Sequence, residues 1–248
     1  MTDFDAATLL ADINAATEHL LESAADLTDD DIHEPSLCSG WTRGHVLTHV
    51  ARNADGLCNM LNTASTGQVT PMYESQEKRE ADIEAGAGRS AADIRADLLE
   101  SANRFTAAFQ AVGPEQWSTL VYRTPGAVPS EAATVGDRRL GEVLIHHVDL
   151  NLDFTPAHWS DAFTDAQFAD TLSRFSARDD FPPLRLDAEE EDAWYGIGAE
   201  PDDEGVVAVH GAKRALLAWL MGRASGDGLV ATLPEGGRGP LPEIPAWG

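Results

Sequence analysis

The strongest constraint on the fold is the helical spacing of apolar residues in four segments of the first 155 residues. Apolar side chains recur every three or four positions, which places them on one face of a helix. The pattern predicts helices over residues 5–27, 42–63, 90–112 and 131–153. Residues 65–88 contain glycines and a proline and are predicted to form a long loop. Amphipathic helices with long connections predict a four-helix bundle.

The sequence pattern changes after Pro156. A further helix is predicted over residues 165–176, and an amphipathic helix over residues 212–223. Short extended segments are predicted at residues 184–186, 194–197, 205–210 and 228–233, and the last residues, 235–248, are predicted to be extended. We therefore predict two domains, an all-α domain over residues 1–155 and an α+β domain over residues 156–248.

The charge excludes some classes of function. The 248 residues include 17 basic and 42 acidic side chains, a formal charge of −25. Such a chain repels phosphates, so we expect no nucleic-acid partner, whereas a small anionic substrate needs only one or two local cations. No run approaches about 18 apolar residues, and the N-terminus lacks the basic start of a signal peptide. We expect a cytoplasmic protein with no membrane contact.

The fourth predicted helix contains the most informative stretch, EVLIHHVD at residues 142–149. Glu142 and His146 are four positions apart and therefore project from the same face. His49, in the second predicted helix, stands among apolar residues where a core-facing side chain is expected. Together the three side chains offer a nitrogen and oxygen ligand set that suits zinc, with a fourth position open. From spacing alone, a solvated acid–base pair and a core histidine remain the alternative.

Four stretches carry a resemblance to a known family. They are GWTRGHVLTHVARN at residues 40–53, LCNM at 57–60, TGQVTPMY at 66–73 and EVLIHHVDL at 142–150. They resemble the mycothiol-dependent maleylpyruvate isomerase family. A wider superfamily of metal-binding, thiol-dependent bundles shares the two helix motifs, and the TPMY loop makes the isomerase the closer match. After residue 156 the resemblance is looser and rests on VVAVHG, GR and PAW at residues 206–211, 222–223 and 245–247.

The resemblance implies a fold, a cofactor set and a reaction. The fold is a DinB-like four-helix bundle followed by a small α+β domain of the sterol-carrier-like kind. The cofactors are Zn²⁺ or another divalent metal, held by His49, Glu142 and His146, and mycothiol. The reaction is the conversion of maleylpyruvate to fumarylpyruvate in gentisate breakdown. A thiolate adds to the cis double bond, the enolate rotates about the resulting single bond, and elimination returns the trans product; an open zinc site supplies the thiolate.

Two arginines are predicted to be catalytic. Arg79 stands where the isomerase carries an arginine after its TPMY loop, and Arg223 is predicted to hold a substrate carboxylate or the enolate from the second domain. The alternatives are a solvated surface run for Arg79 and a cation at a helix C-terminus for Arg223. Tyr73 and Met72 are predicted to line the cofactor pocket, and Asp149 is a candidate to accept the second ring N–H of His146.

The leading hypothesis is a zinc- and thiol-dependent cis–trans isomerase with a small anionic substrate and a low-molecular-weight thiol as partners. A second hypothesis keeps the metal-activated thiol but makes the protein a thiol S-transferase that detoxifies electrophiles. A third is a non-catalytic, zinc-stabilised binding protein, against which the open fourth metal position argues. Cys38 and Cys58 are predicted to be structural, so the thiol is expected to come from outside the chain.

Overall fold

The computed structural model describes residues 4–191, 193–198 and 205–247. The chain divides into two compact units, Met1–Phe154 and Thr155–Gly248. Within the described part, no helix is long and apolar enough to cross a membrane.

The first unit is built from helices. They are α1 (Ala6–Ala24), α2 (Arg43–Thr66), α3 (Gln76–Ala87), α4 (Ala91–Gln110) and α5 (Thr134–Asp149). Side chains of Asp5, Thr42, Ser75 and Ser90 cap the N-termini of the first four by accepting hydrogen bonds from the first turn. Each of α1 and α2 contacts both α4 and α5, so these four long helices share a core. A short antiparallel pair, β1 (Leu120–Val121) and β2 (Ser130–Glu131), precedes α5.

Helix α3 corrects the prediction of an uninterrupted loop over residues 65–88. It begins after the Ser75 cap and buries only Ile83, Gly86 and Ala87. Lys78 and Asp82 form an ion pair on its exposed surface. With so few buried apolar residues the segment has no apolar stripe, which is the signal on which the helix predictions depended. Helix α5 is also shorter than the predicted range of residues 131–153, because β2 precedes it and it ends at Asp149.

The centre of the first unit is α2, which contributes to two hydrophobic clusters. Its N-terminal half packs against α1, α4 and α5 through Val46, Leu47 and Val50. Its C-terminal half, including Leu57 and Met60, packs into a second cluster with side chains from α1, α4 and α5. A helix that is buried along its whole length has a fixed rotation, so its polar side chains point in defined directions.

The second unit contains both helices and strands. It contains α6 (Asp161–Ser176), β3 (Leu184–Ala188), β4 (Trp194–Ile197), β5 (Val207–Gly211), α7 (Lys213–Leu220), β6 (Val230–Thr232) and β7 (Arg238–Gly239). The sheet order is β4-β3-β5-β6-β7; β3 and β5 are parallel and the other neighbours antiparallel. Strand β7 lies in the segment that was predicted to be extended, and the last residue of that segment, Gly248, lies outside the described residues.

Candidate metal centre

The donor atoms of His49, Glu142 and His146 converge on one point between α2 and α5. His49 Nε2 lies 2.9 Å from Glu142 Oε2 and 3.0 Å from His146 Nε2. His146 Nε2 lies 3.4 Å from Glu142 Oε2. The structure thus brings together the three side chains that the sequence suggested as ligands, two from one turn of α5 and one from α2.

The donor set fits a tetrahedral metal with one position left over. Donors bonded to zinc at about 2.0–2.1 Å lie about 3.3 Å apart in a tetrahedral centre, close to the three separations found here. The His49 side chain is 4% exposed, whereas those of His146 and Glu142 are 16% and 32% exposed. One side of the site is therefore accessible to a further ligand, as catalytic rather than structural zinc sites require.

A buried carboxylate orients His146. Asp149, which is fully buried, accepts a hydrogen bond from His146 Nδ1 at 2.8 Å. The thiol of Cys38 donates to the same carboxylate oxygen at 3.2 Å. The Asp149 contact leaves Nε2 of His146 to face the ligand cluster, and such a second contact fixes both the tautomer and the ring orientation of a metal-ligating histidine.

The protonation states follow from burial and from the close packing of the three groups. Burial, together with the nearby charge of His146, lowers the pKa of His49 to about 4, so its ring is neutral. Burial alone would raise the pKa of Glu142, but hydrogen bonds from His146 and His49 hold it well below its usual value. Burial would lower the pKa of His146, yet its hydrogen bonds to Asp149, Cys38 and Glu142 raise it.

Arg79 lies beside the cluster. Helix α3 carries it to His49, where its Nη2 is 3.1 Å from His49 Nδ1. Its guanidinium carbon lies 5.6 Å from the centre of the Tyr73 ring. Arg79 is therefore in contact with a candidate ligand rather than part of a solvated surface run. The sequence predicted a catalytic role for Arg79 but not its contact with His49, because α3 had not been predicted.

Tyr73 and Met72 line a cavity of about 240 Å³ between α2 and α3, together with Arg79. The loop that carries them approaches α2 closely at Gly56, where a Cβ would lie 2.9 Å from Met72 Cγ and 3.0 Å from Tyr73 Cε1. Backbone hydrogen bonds from Met72 N and Tyr73 N to the carbonyl groups of residues 122 and 123 hold the loop on its other side. Burial raises the pKa of Tyr73, which keeps its phenol protonated at neutral pH.

Arg223 lies in the second unit, just after α7. Its backbone N–H donates to Ala218 O at 2.8 Å, and its Nη1 donates to Met221 O at 2.7 Å. Gly222 has a φ of 71° and ends the helix in the left-handed conformation. These contacts are those of a cation at a helix C-terminus.

Other polar side chains of the motifs have structural partners. His45 Nδ1 accepts a hydrogen bond from the backbone N–H of Thr42, as part of the cap of α2. His147 is fully buried, contacts Ser23 Oγ at 2.8 Å and stacks on Phe154.

Two residues near the cluster were not among the predicted site residues. The ring of Trp41 lies 5.4 Å from that of His49. Arg139, on α5, is completely buried and donates to α2. The sequence contains a signal that could have identified Arg139 as a site residue. It is an arginine three positions before Glu142, in a helix whose other buried positions are mostly apolar.

Comparison with known proteins identifies the same family that the sequence motifs resemble. A family model described as the mycothiol maleylpyruvate isomerase N-terminal domain matches residues 13–151, which include all three candidate ligands. No curated protein sequence matches the chain significantly.

Two solved structures also resemble the chain over its whole length. One is the crystal structure of the mycothiol-dependent maleylpyruvate isomerase, with 28% identity, a TM-score of 0.89 and 100% coverage of both chains. The other is a variant of that enzyme with one histidine replaced by alanine, with 28% identity, a TM-score of 0.88 and the same coverage. Since the family model spans more than half of the chain, the protein belongs to the mycothiol maleylpyruvate isomerase N-terminal domain family.

Proposed function

We propose that the protein is a zinc- and mycothiol-dependent cis–trans isomerase that converts maleylpyruvate to fumarylpyruvate. The observation that carries the proposal is the convergence of His49, Glu142 and His146 on one point, with one side accessible, in a chain of this family. The same proposal includes the DinB-like bundle, the sterol-carrier-like second domain and the place in gentisate breakdown that the sequence resemblance implies.

The three ligands suit a metal that must activate a thiol. Zinc bound there would act as a Lewis acid that lowers the pKa of a coordinated thiol toward neutrality. Zinc would displace the proton of His146. Two neutral imidazoles and one carboxylate would then contribute a single negative charge, so a divalent ion would keep a net positive charge at the accessible side. Asp149 holds His146 in the tautomer that presents Nε2, which keeps the donor set assembled before any ligand arrives.

Arg79 is the residue of this unit best placed to bind an anionic substrate. Its guanidinium lies within hydrogen-bonding distance of His49, so its positive charge is close to the ligand cluster. A guanidinium matches a carboxylate with two parallel hydrogen bonds and stays charged when partly buried. We propose that Arg79 holds a substrate carboxylate, and that Tyr73 and Met72 contact the thiol cofactor from the cavity that they line.

Arg223 is proposed to hold the second carboxylate or the enolate oxygen. The proposal is supported by its match to the family motif GR at residues 222–223. An Arg223→Lys variant is expected to lose catalytic efficiency without any change in metal content, because lysine keeps the charge but not the planar pair of donors. Unchanged efficiency would contradict the proposed role of Arg223 toward the substrate.

The test is an isomerisation assay with zinc-loaded protein. Maleylpyruvate is supplied with mycothiol, with glutathione or with no thiol, and the formation of fumarylpyruvate is followed. His49→Ala removes one ligand, and His33→Ala serves as the matched control because His33 is exposed and lies outside the cluster. We expect product only with mycothiol, a loss of both zinc and activity in His49→Ala, and wild-type behaviour in His33→Ala.

The possible results separate the candidate functions. Zinc binding without isomerisation would discard maleylpyruvate as the substrate. Conjugation of mycothiol to an added electrophile would then favour the S-transferase hypothesis. Activity that survives in a metal-free His49→Ala protein would contradict the metal centre itself.

A further inference from the structure

We infer that Arg139 is a positioning residue for the metal centre: it ties α5 to α2 one helical turn away from the ligands and so fixes the separation at which His49 meets Glu142 and His146. The inference rests on the proposed metal-dependent function, because it assigns Arg139 a role toward the bound ion. Arg139 does not touch the ligand atoms, so it acts through the helices that carry them.

The contacts form a second layer below the ligands. Arg139 precedes Glu142 by three residues on α5, and Asn53 follows His49 by four residues on α2. Arg139 and Glu142 therefore lie on one face of α5, one turn apart, and His49 and Asn53 lie on one face of α2, one turn apart. Arg139 Nη1 donates to Val50 O at 2.8 Å and to Asn53 Oδ1 at 3.3 Å. Val50 directly follows His49 in the chain. A single guanidinium nitrogen of α5 therefore holds α2 at the residue next to a ligand.

A contribution to stability does not explain this arginine. Its side chain is 0% exposed, and within the described part of the chain its Nε and Nη2 are buried without a hydrogen-bond partner. The guanidinium carbon lies 5.7 Å from the centre of the Phe105 ring. Burying a cation with two unpartnered donors is costly, and this cost offsets much of the stability that its hydrogen bonds to Val50 and Asn53 contribute.

The charge of Arg139 is also close to the ligands. Burial lowers the pKa of Arg139 to about 10, and the negative charge of Glu142 opposes that shift. The cation therefore remains charged at neutral pH and attracts the ligand carboxylate on its own helix. A positioning role and a purely structural role thus lead to different predictions. If Arg139 positions the ligands, metal affinity falls when the arginine is removed. If its role is only structural, stability changes and metal affinity does not.

Arg139→Met and Arg139→Lys test the inference. Arg138→Met is the matched control, because Arg138 is the neighbouring arginine on α5 and is exposed. For each variant, zinc affinity is measured by competition with a chromophoric chelator, the absorption spectrum of the Co²⁺-loaded protein is recorded, and the melting temperature of the metal-free protein is determined. The chelator competition and the spectrum report on the centre itself and do not depend on catalysis.

We expect Arg139→Met to bind zinc about 10–100-fold more weakly, which is the usual effect of losing a residue that orients metal ligands. Its Co²⁺ spectrum should differ from that of the wild type, while the metal-free variant still folds and unfolds cooperatively. Arg139→Lys should recover part of the affinity, since it keeps the charge and at least one hydrogen bond. Arg138→Met should match the wild type in affinity and spectrum.

Wild-type affinity and spectrum in Arg139→Met would overturn the inference. If Arg139→Met does not fold, the inference is tested with Arg139→Lys. Reduced zinc affinity with an altered Co²⁺ spectrum in Arg139→Lys supports the positioning role, and wild-type affinity and spectrum overturn it. If the wild-type protein binds neither zinc nor cobalt, the metal centre fails and this inference fails with it. If the wild type and Arg139→Met bind zinc equally well, only the role of Arg139 is lost.

Discussion

His146 uses both of its ring nitrogens. Nδ1 donates to the buried Asp149 carboxylate, and Nε2 faces His49 and Glu142. A histidine held in this way presents one lone pair in one direction, so little rotational entropy is lost when a metal binds. Removal of Asp149 should therefore weaken the centre without removing a ligand.

Replacing Asp149 with alanine is expected to reduce zinc affinity about 10–100-fold, because the His146 ring loses its fixed tautomer and orientation. The affinity is measured by chelator competition. Asp153→Ala is the control, since Asp153 is an exposed acid shortly after the end of α5. Equal affinities in the two variants would show that His146 is oriented by other contacts.

Cys58 is expected to be a slow nucleophile. Burial raises the pKa of its thiol to about 11, and the thiolate is the reactive form. At pH 8 its alkylation should be slower than in the urea-unfolded chain by a factor of about 100. Mass spectrometry of the labelled peptides resolves Cys58 from Cys38. A folded-state rate equal to the unfolded-state rate would contradict the burial of this thiol.

For individual residues, the sequence predicted those positions that follow from the spacing of residues within one helix. The i,i+4 spacing put Glu142 and His146 on one face, and the place of His49 among apolar residues of the second helix suggested the third ligand. The contact between Arg79 and His49 spans 30 positions and depends on α3, so no local pattern contained it. The hydrogen bonds of Arg139 depend on how α5 rotates against α2, which the packing of the core decides.

Helix α3 was not predicted from the sequence. Its surface is charged and it buries only three residues, so its formation depends on the Ser75 cap and on contact with α2. The four long helices were predicted because each has a continuous apolar stripe. In the second unit, β3 to β6 were predicted from short apolar segments between turn residues. The segment of β7 was predicted to be extended, but its pairing with β6 was not, because its glycine-rich surroundings carry no strand signal.

Gly86 sets how closely α3 approaches α2. A Cβ at this position would lie 2.4 Å from Thr48 Cγ2, and Thr48 is fully buried. Gly86→Ala should therefore destabilise the protein by about 1–2 kcal/mol net, since the overlap outweighs the gain in helix propensity. The free energy of unfolding is measured by denaturant titration.

Gly88→Ala is the control for this prediction, because a Cβ at Gly88 would meet nothing within 4 Å. Its effect should stay within about 0.5 kcal/mol. Combining Gly86→Ala with Thr48→Ser removes the overlapping methyl group and should restore part of the lost stability. Full stability in Gly86→Ala alone would mean that α3 moves away from α2 at no cost.

In the molecule as a whole, all three ligands belong to the first unit. Both hydrophobic clusters of that unit also consist of residues between Ala6 and Leu152. A unit that contains its own core is expected to fold alone. We therefore expect a chain ending at Phe154 to bind zinc with the affinity of the full-length protein.

This prediction is checked by zinc titration of the shortened chain, with its helical content followed by circular dichroism. Wild-type affinity in a cooperatively folding fragment would support the predicted division into domains. A helical fragment that unfolds without cooperativity, or that binds no zinc, would show that the first unit needs the rest of the chain. Activity of the fragment would contradict the proposed role of Arg223.

Trp41 gives the protein an optical property that follows from its position. Its indole ring lies 5.4 Å from the ring of His49 and 6.2 Å from that of His45. Paramagnetic ions quench indole emission efficiently at such short range. Cobalt uptake should therefore be visible as a loss of fluorescence that is absent in Trp41→Phe, so that occupancy of the centre can be followed in real time in the unlabelled protein.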